Sequence, residues 1–407
     1  MRFEGAVSPL AERPFRLLWL GRVASSAGDA LVPVAVAFAV LSVNGSATAL
    51  GSVLAVTTLA RVAFTLVGGV VADRLPRRAV MLASDVVRAF VQALVAVLLL
   101  TGEMTLPLFL VTGAIFGAAS AFFGPASDGL VPQTVSPRNL QPANALLTLS
   151  RNVLNVFGPA LSGALIAASS TGWVFAVDSA SFVASALFLL RLKVPPHAAP
   201  QRSRFVRELR DGFREVARRP WVRWPIVGFA VLNFCLASFI VLGPPTFVAH
   251  FHGARDWGIV SACGAIGAIT GALLSVRLKP LHPLTACFAV SVLVPAPIAA
   301  LARPLPYLLV AAAWFLGAGS IALANTWWDT TLQRRIPSSV YARVRSYDIL
   351  VSFVFMPLGF LVFPLIAGWI GFAPTLIIAA GASALSSVLV ALAPGVQAVL
   401  DEPLELR

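Results

Sequence analysis

Charge is scarce in this chain: of 407 residues only 12% are Asp, Glu, Lys or Arg. Soluble domains carry roughly a quarter, so a fully water-exposed surface is excluded. Lysine is almost missing, with only Lys193 and Lys279 beside the arginines. The three cysteines, Cys235, Cys263 and Cys287, lie inside apolar runs and form no C-x-x-C pair. That excludes a disulfide framework or a thiolate metal site. The four histidines, His197, His250, His252 and His282, fall in or beside loops, and H-E-x-x-H is absent. No G-x-x-x-x-G-K-[ST] stretch occurs, so the chain has no phosphate loop of its own. No Ser-His-Asp set stands at a recognisable spacing. The expectation is a protein that is not an enzyme, with no cofactor and no metal.

What is abundant is apolar. Hydrophobic residues make up 58% of the chain, and the mean hydropathy is +0.87. A bilayer span needs roughly 20 apolar residues, and about twelve such runs follow one another here. The first is expected over 17–41, the fifth from about 145 to 169, the ninth over 284–302 and the eleventh from about 346 to 369. Met1 to Pro14 is polar and the first run is long enough to span, which predicts a retained helix, not a cleaved signal. Asn44-Gly45-Ser46 reads as a turn.

The formal net charge is +13, which could point to nucleic acid. Its placement argues against that partner. Arg74, Arg77, Arg78, Arg138, Arg277, Lys279, Arg334, Arg335, Arg343 and Arg345 fall in alternate loops, while the remaining loops offer only Arg255 and Arg303. The positive-inside rule then predicts both termini in the cytoplasm. A further block, 191–223, carries nine arginines, with Phe205, Leu209, Phe213 and Val216 among them at helical spacing. It predicts a basic amphipathic helix on the inner membrane surface. It separates an N-terminal bundle, 1–190, from a C-terminal bundle, 224–407. Two six-helix halves with a linker imply a pseudo-two-fold axis along the membrane normal.

The tight loop between the second and third runs is the most distinctive stretch. It reads Gly69-x-x-x-Asp73-Arg74-x-x-Arg77-Arg78, with Pro76 between. Gly68 and Gly69 permit close helix approach. Asp73 can face a helix N-terminus, and the arginines can hold the loop at anionic lipid. On the fifth run stands Gly158-Pro159-Ala160-Leu161-Ser162-Gly163, a helix able to bend and pack closely. Phe122-Phe123-Gly124-Pro125-Ala126-Ser127, Ala143-Asn144-Ala145-Leu146 and Gln333-Arg334-Arg335-Ile336-Pro337 complete the set. Together these motifs resemble the major facilitator superfamily, and within it the branch of enterobactin exporters and macrolide efflux proteins. The resemblance implies an all-α membrane fold of two pseudo-symmetric six-helix bundles. It also implies an antiporter-like motif at Gly158, Pro159 and Gly163. Asp128 stands where that branch usually places a basic residue.

Charges inside apolar runs are costly and are functional candidates by default. Asp29 lies about 18 Å along the first run, at roughly 1.5 Å per residue. It is the candidate proton carrier, with a permanently paired structural acid as the alternative. Arg61 and Arg151 are candidate partners for Asp29, attractors of an anionic substrate, or structural cations. Asn233 and Asn325 are candidate cavity-lining residues. Phe229, Phe234, Trp314, Trp327 and Trp328 offer either stacking surface or an interfacial belt. Asp85 and Arg88, one turn apart, are expected to pair with each other or with the cationic loop. Asp329, Arg345 and Asp348 read as an inner gate network. Asp178 reads as structural.

The expectation is thus a secondary transporter of a bacterial inner membrane, acting as a monomer among membrane lipids. It would export hydrophobic or amphipathic small molecules against inward proton flow. The alternatives are a dedicated exporter of one metabolite, such as a siderophore or lipid, and a non-transport sensor or scaffold.

Overall fold

The computed structural model describes residues 9–193, 214, 216–303 and 305–400; at 66–74, 338, 339, 342, 343, 346, 349 and 353 it describes the backbone alone. Most of the basic linker expected at 191–223 lies outside the described residues. Everything described is helix, turn or loop, with no strand among the described residues.

The helices are α1 (Arg13–Asp29), α2 (Val32–Asn44), α3 (Ala47–Arg74), α4 (Arg77–Thr101), α5 (Leu106–Leu130), α6 (Leu140–Ala168) and α7 (Thr171–Arg191). After the linker come α8 (Pro220–His250), α9 (Ala254–Arg277), α10 (Pro283–Ser291), α11 (Pro295–Ala302), α12 (Tyr307–Arg335), α13 (Ser338–Ile370), α14 (Phe372–Ala391) and the short α15 (Pro394–Gln397).

The first and ninth runs are each two helices, not one. Pro33 has no N–H to offer the carbonyl of Asp29, so the helix breaks at Ala30–Leu31. Pro295 and Pro297 break the ninth run in the same way. The eleventh run starts about eight residues earlier than expected, because the polar, arginine-rich segment from Ser338 is already helical. Arg334 and Arg335 likewise close the last turn of α12 instead of lying in a loop.

Among the described residues, eleven spans are long and apolar enough to cross a bilayer. The twelfth, α6, has 29 residues but is diluted by Asn144, Arg151, Asn152 and Asn155. A helix that polar is tolerated at membrane depth when one face lines a cavity.

The chain divides into two compact units, Met1–Gln201 with His252–Ala262, and Arg202–Phe251 with Cys263–Arg407. The first turns of α9 belong to the first unit because Gly258 packs on the Pro159 carbonyl and Gly163 on that of Ala254. Within each unit the pairing of spans repeats. In the first, α3 packs on α5, and α7 on both α4 and α1. In the second, α9 packs on α12 through Gly264, Gly267 and Gly271, and α14 packs on α11 and on α8. Second with fourth, third with sixth and first with sixth is the rule in both.

Candidate functional site

Each unit holds a cavity. In the first it is about 730 Å³ and is lined from α1 to α7. Its polar face is built by helical period: Arg22, Ser25, Ser26 and Asp29 recur at i, i+3, i+4 and i+7 on α1, and Arg151, Asn155 and Pro159 at i, i+4 and i+8 on α6. Asp29 ends α1 at the break, with its side chain 41% exposed.

Arg88 on α4 organises this site. Its guanidinium lies 4.3 Å from the Phe123 ring centroid and 4.2 Å from that of Phe182. Nη2 donates to Asp85, which is fully buried and accepts a second bond, 2.6 Å, from Ser185 Oγ. Nη1 reaches Asp29 Oδ2 at 3.4 Å. So Arg88 is shared between an enclosed carboxylate held tightly and an accessible one held loosely. Of the two partners expected for Arg88, Asp85 is the one it meets, and the pair sits behind Asp29 and not at the cationic loop. Arg61 and Arg151 line the same cavity, but among the described residues the ion pair of Asp29 is with Arg88. Arg22 was not singled out from the sequence. It pairs with Asp128 at 3.2 Å, and its place seven residues before Asp29 was the available signal. One turn along α4 from Arg88, Gln92 donates to the buried Asp178, which packs over Gly28.

The cavity of the second unit is about 510 Å³. Asn233 and Asn325 both line it; the Asn233 amide donates to the Phe229 carbonyl at 3.0 Å. Arg345 Nη1 lies 2.6 Å from Asp329 and 2.8 Å from Asp348. Asp348 also accepts from Trp328 Nε1 at 3.1 Å and from Ser352 Oγ at 3.3 Å. Phe229, Trp314 and Trp328 are cavity walls. Trp327 is not: it is buried and donates to the Leu278 carbonyl. Phe234 stacks on Phe363 instead, centroids 4.9 Å apart.

The remaining motif residues brace helices. Gly158 abuts Ala30 at the α1 break, and Ser162 Oγ donates to the Leu31 carbonyl at 2.8 Å. Pro159 and Gly163 meet the start of α9. The α6 motif thus clasps two helix ends. Arg77 donates to the Gly129 carbonyl. Arg78 donates to the carbonyls of Leu189 and Leu190, both at 2.7 Å. These guanidiniums cap helix C-termini, where unpaired carbonyls and the dipole favour a cation. Gly69, Asp73 and Arg74 lie in the last turns of α3, where side chains are outside the described residues.

Twelve spans in two repeating units, each with a cavity that holds charged side chains, define a membrane fold of the major facilitator type. Residues 4–401 match the family model described as transmembrane secretion effector, and the chain belongs to that family. It is 27% identical over 267 residues to the enterobactin exporter EntS of Citrobacter koseri, covering 65% of this chain and 63% of that one. It is 28% identical over 274 residues to the multidrug efflux pump Tap of Mycolicibacterium fortuitum, covering 64% and 66%. The chain thus spans less than two thirds of the length of these curated relatives. The crystal structure of the nucleoside transporter NupG superposes with a TM-score of 0.71 at 14% identity, over 93% of this chain and 98% of that one.

Proposed function

We propose that this chain is a secondary exporter of the bacterial inner membrane, moving hydrophobic or amphipathic small molecules outward in exchange for protons. Alternating exposure of the cavity linings to the two sides of the membrane would carry the substrate across. The observation that supports coupling is Asp29: a carboxylate at a proline-induced helix break, open to a cavity, sharing Arg88 with the enclosed Asp85. Proton binding at Asp29 would release Arg88 wholly to Asp85 and remove a charge that opposes closure in a low-dielectric interior. Relatives named as exporters favour the outward direction.

The test is flux in inverted membrane vesicles, with dye uptake and lumenal pH followed together. Proton-dependent uptake that is lost in Asp29→Asn supports the reading. Equal flux in both proteins removes Asp29 from coupling, and no flux with any compound in a broad panel removes the multidrug reading.

A further inference from the structure

The second unit's cavity has an excess of negative charge that the transport reading does not use. Among the described residues, the charged groups lining it are Asp329, Asp348 and Arg345 alone. One guanidinium therefore serves two carboxylates. The two acids are not equivalent. Asp348 is enclosed and is also held by Trp328 and Ser352, whereas among the described residues the only ion-pair and hydrogen-bond partner of Asp329 is Arg345. Asp329 is also the more open, with its side chain 36% exposed. Arg345 can keep Asp348 at 2.8 Å while another cation takes its place at Asp329.

The walls suit that cation. Trp314 lies against Gly264 and stacks on Phe239, centroids 4.9 Å apart, so its ring is held in place. Phe229 is wedged between Phe288 and Trp328, at 5.1 and 5.7 Å. Such rings present a negative face to a cation and apolar area to its body. Asn325, one turn before Asp329 on α12, is exposed and has no hydrogen bond from its amide among the described residues. A cavity of about 510 Å³ is of the size that encloses a drug-sized molecule.

We infer that this cavity binds the ammonium or iminium group of an amphipathic organic cation, with Asp329 as counter-ion, Asn325 as polar contact and Trp314 as aromatic wall. The inference rests on the export reading for its physiological sense, since an organic cation bound here would be the exported substrate while Asp29 carries the proton. Binding itself requires no gradient. An organic anion is disfavoured here by like charge.

The experiment is a fluorescence-anisotropy titration of the purified full-length chain in phosphatidylcholine nanodiscs, with empty discs as blank. Rhodamine 123 and fluorescein share a tricyclic body and differ in the sign of charge. Rhodamine 123 is expected to bind at least about tenfold more tightly. Asp329→Asn should weaken it by about tenfold or more, the scale of one charge-assisted contact. Trp314→Leu should weaken it as well, with Trp314→Phe restoring most of the affinity. Fluorescein binding as tightly as rhodamine 123, no binding of rhodamine 123, or an unchanged affinity in a folded Asp329→Asn would each overturn the inference. If Asp329→Asn does not fold, the contrast between the two dyes on the wild type decides. Tight rhodamine binding without flux in vesicles would remove the export reading and leave this site standing.

Discussion

Arg88 shows what one buried charge costs and how it is kept. Its guanidinium is enclosed by two rings and shared by Asp85 and Asp29. Removing one partner of such a set leaves the other unpaired, at a cost of about 3–5 kcal/mol. Arg88→Ala should therefore lower the thermal midpoint in detergent sharply, because Asp85 is left enclosed without a cation. Adding Asp85→Ala to that variant should recover part of the loss. A double-mutant cycle with no coupling would show that the two groups act independently. Glu12 is the contrasting residue, outside the membrane spans. Its carboxylate accepts from Asn139 Nδ2 at 2.6 Å and from Ser136 N and Oγ at 2.9 and 2.8 Å. The Asn139 bond is the largest effect; burial opposes it, and the bonds from Ser136 and the charge of Arg138 help hold the carboxyl below the usual glutamate value. A group lowered on folding stabilises above its unfolded value and loses that contribution as pH falls through the folded one. Wild type should exceed Glu12→Gln in thermal midpoint at pH 7, and the gap should close as the buffer is taken below the glutamate range.

At the scale of elements, the packing of α6 rests on absent side chains. A Cβ at Gly258 would stand 2.5 Å from the Pro159 carbonyl oxygen, and one at Gly158 would stand 2.5 Å from the Ala30 Cβ. Backbone cannot yield as a flexible side chain does, so α6 would have to move away from its neighbours. Gly258→Ala and Gly158→Ala should each cost about 1–3 kcal/mol, as overpacking does, read as a lowered unfolding midpoint. Gly381, with nothing within 4 Å of its added Cβ, is the control position and should accept alanine with little change. The broken helices belong to the same scale. Pro33, Pro295 and Pro297 were visible in the sequence, but whether a proline kinks a span or divides it depends on what receives the freed carbonyls. At the α1 break the neighbouring Leu31 carbonyl accepts from Ser162 Oγ, 131 residues away, as well as from the Ala35 N–H.

For the whole molecule, the repeat of span pairings in the two units implies that their cavities are equivalent in architecture and different in chemistry. Among the described residues, the first is lined by four arginines and one aspartate, the second by two aspartates and one arginine. Asp29→Asn should therefore abolish proton-dependent flux in vesicles while leaving the protein folded. Variants of Asp329 should act first on substrate affinity. Measuring half-saturation and maximal rate separately distinguishes the two roles: Asp329→Asn should raise the former, and Asp29→Asn should lower the latter.

Twelve spans, two halves and the approximate helix bounds were legible from the sequence because each span must bury its apolar surface in lipid and satisfy its own backbone within one helix. Those are local demands, met by runs of leucine, valine and alanine wherever they stand. Asp29, Asp329, Arg345 and Asp348 were legible as candidates for the same reason, since charge in an apolar run is conspicuous. Their partners were not. That Arg88 and not Arg61 meets Asp29, that Arg22 joins the lining, and that Arg77 and Arg78 cap helix ends are decided by helices brought together from distant parts of the chain. Ion pairs and capping bonds act over a few ångströms, and only the packed bundle sets which groups come that close.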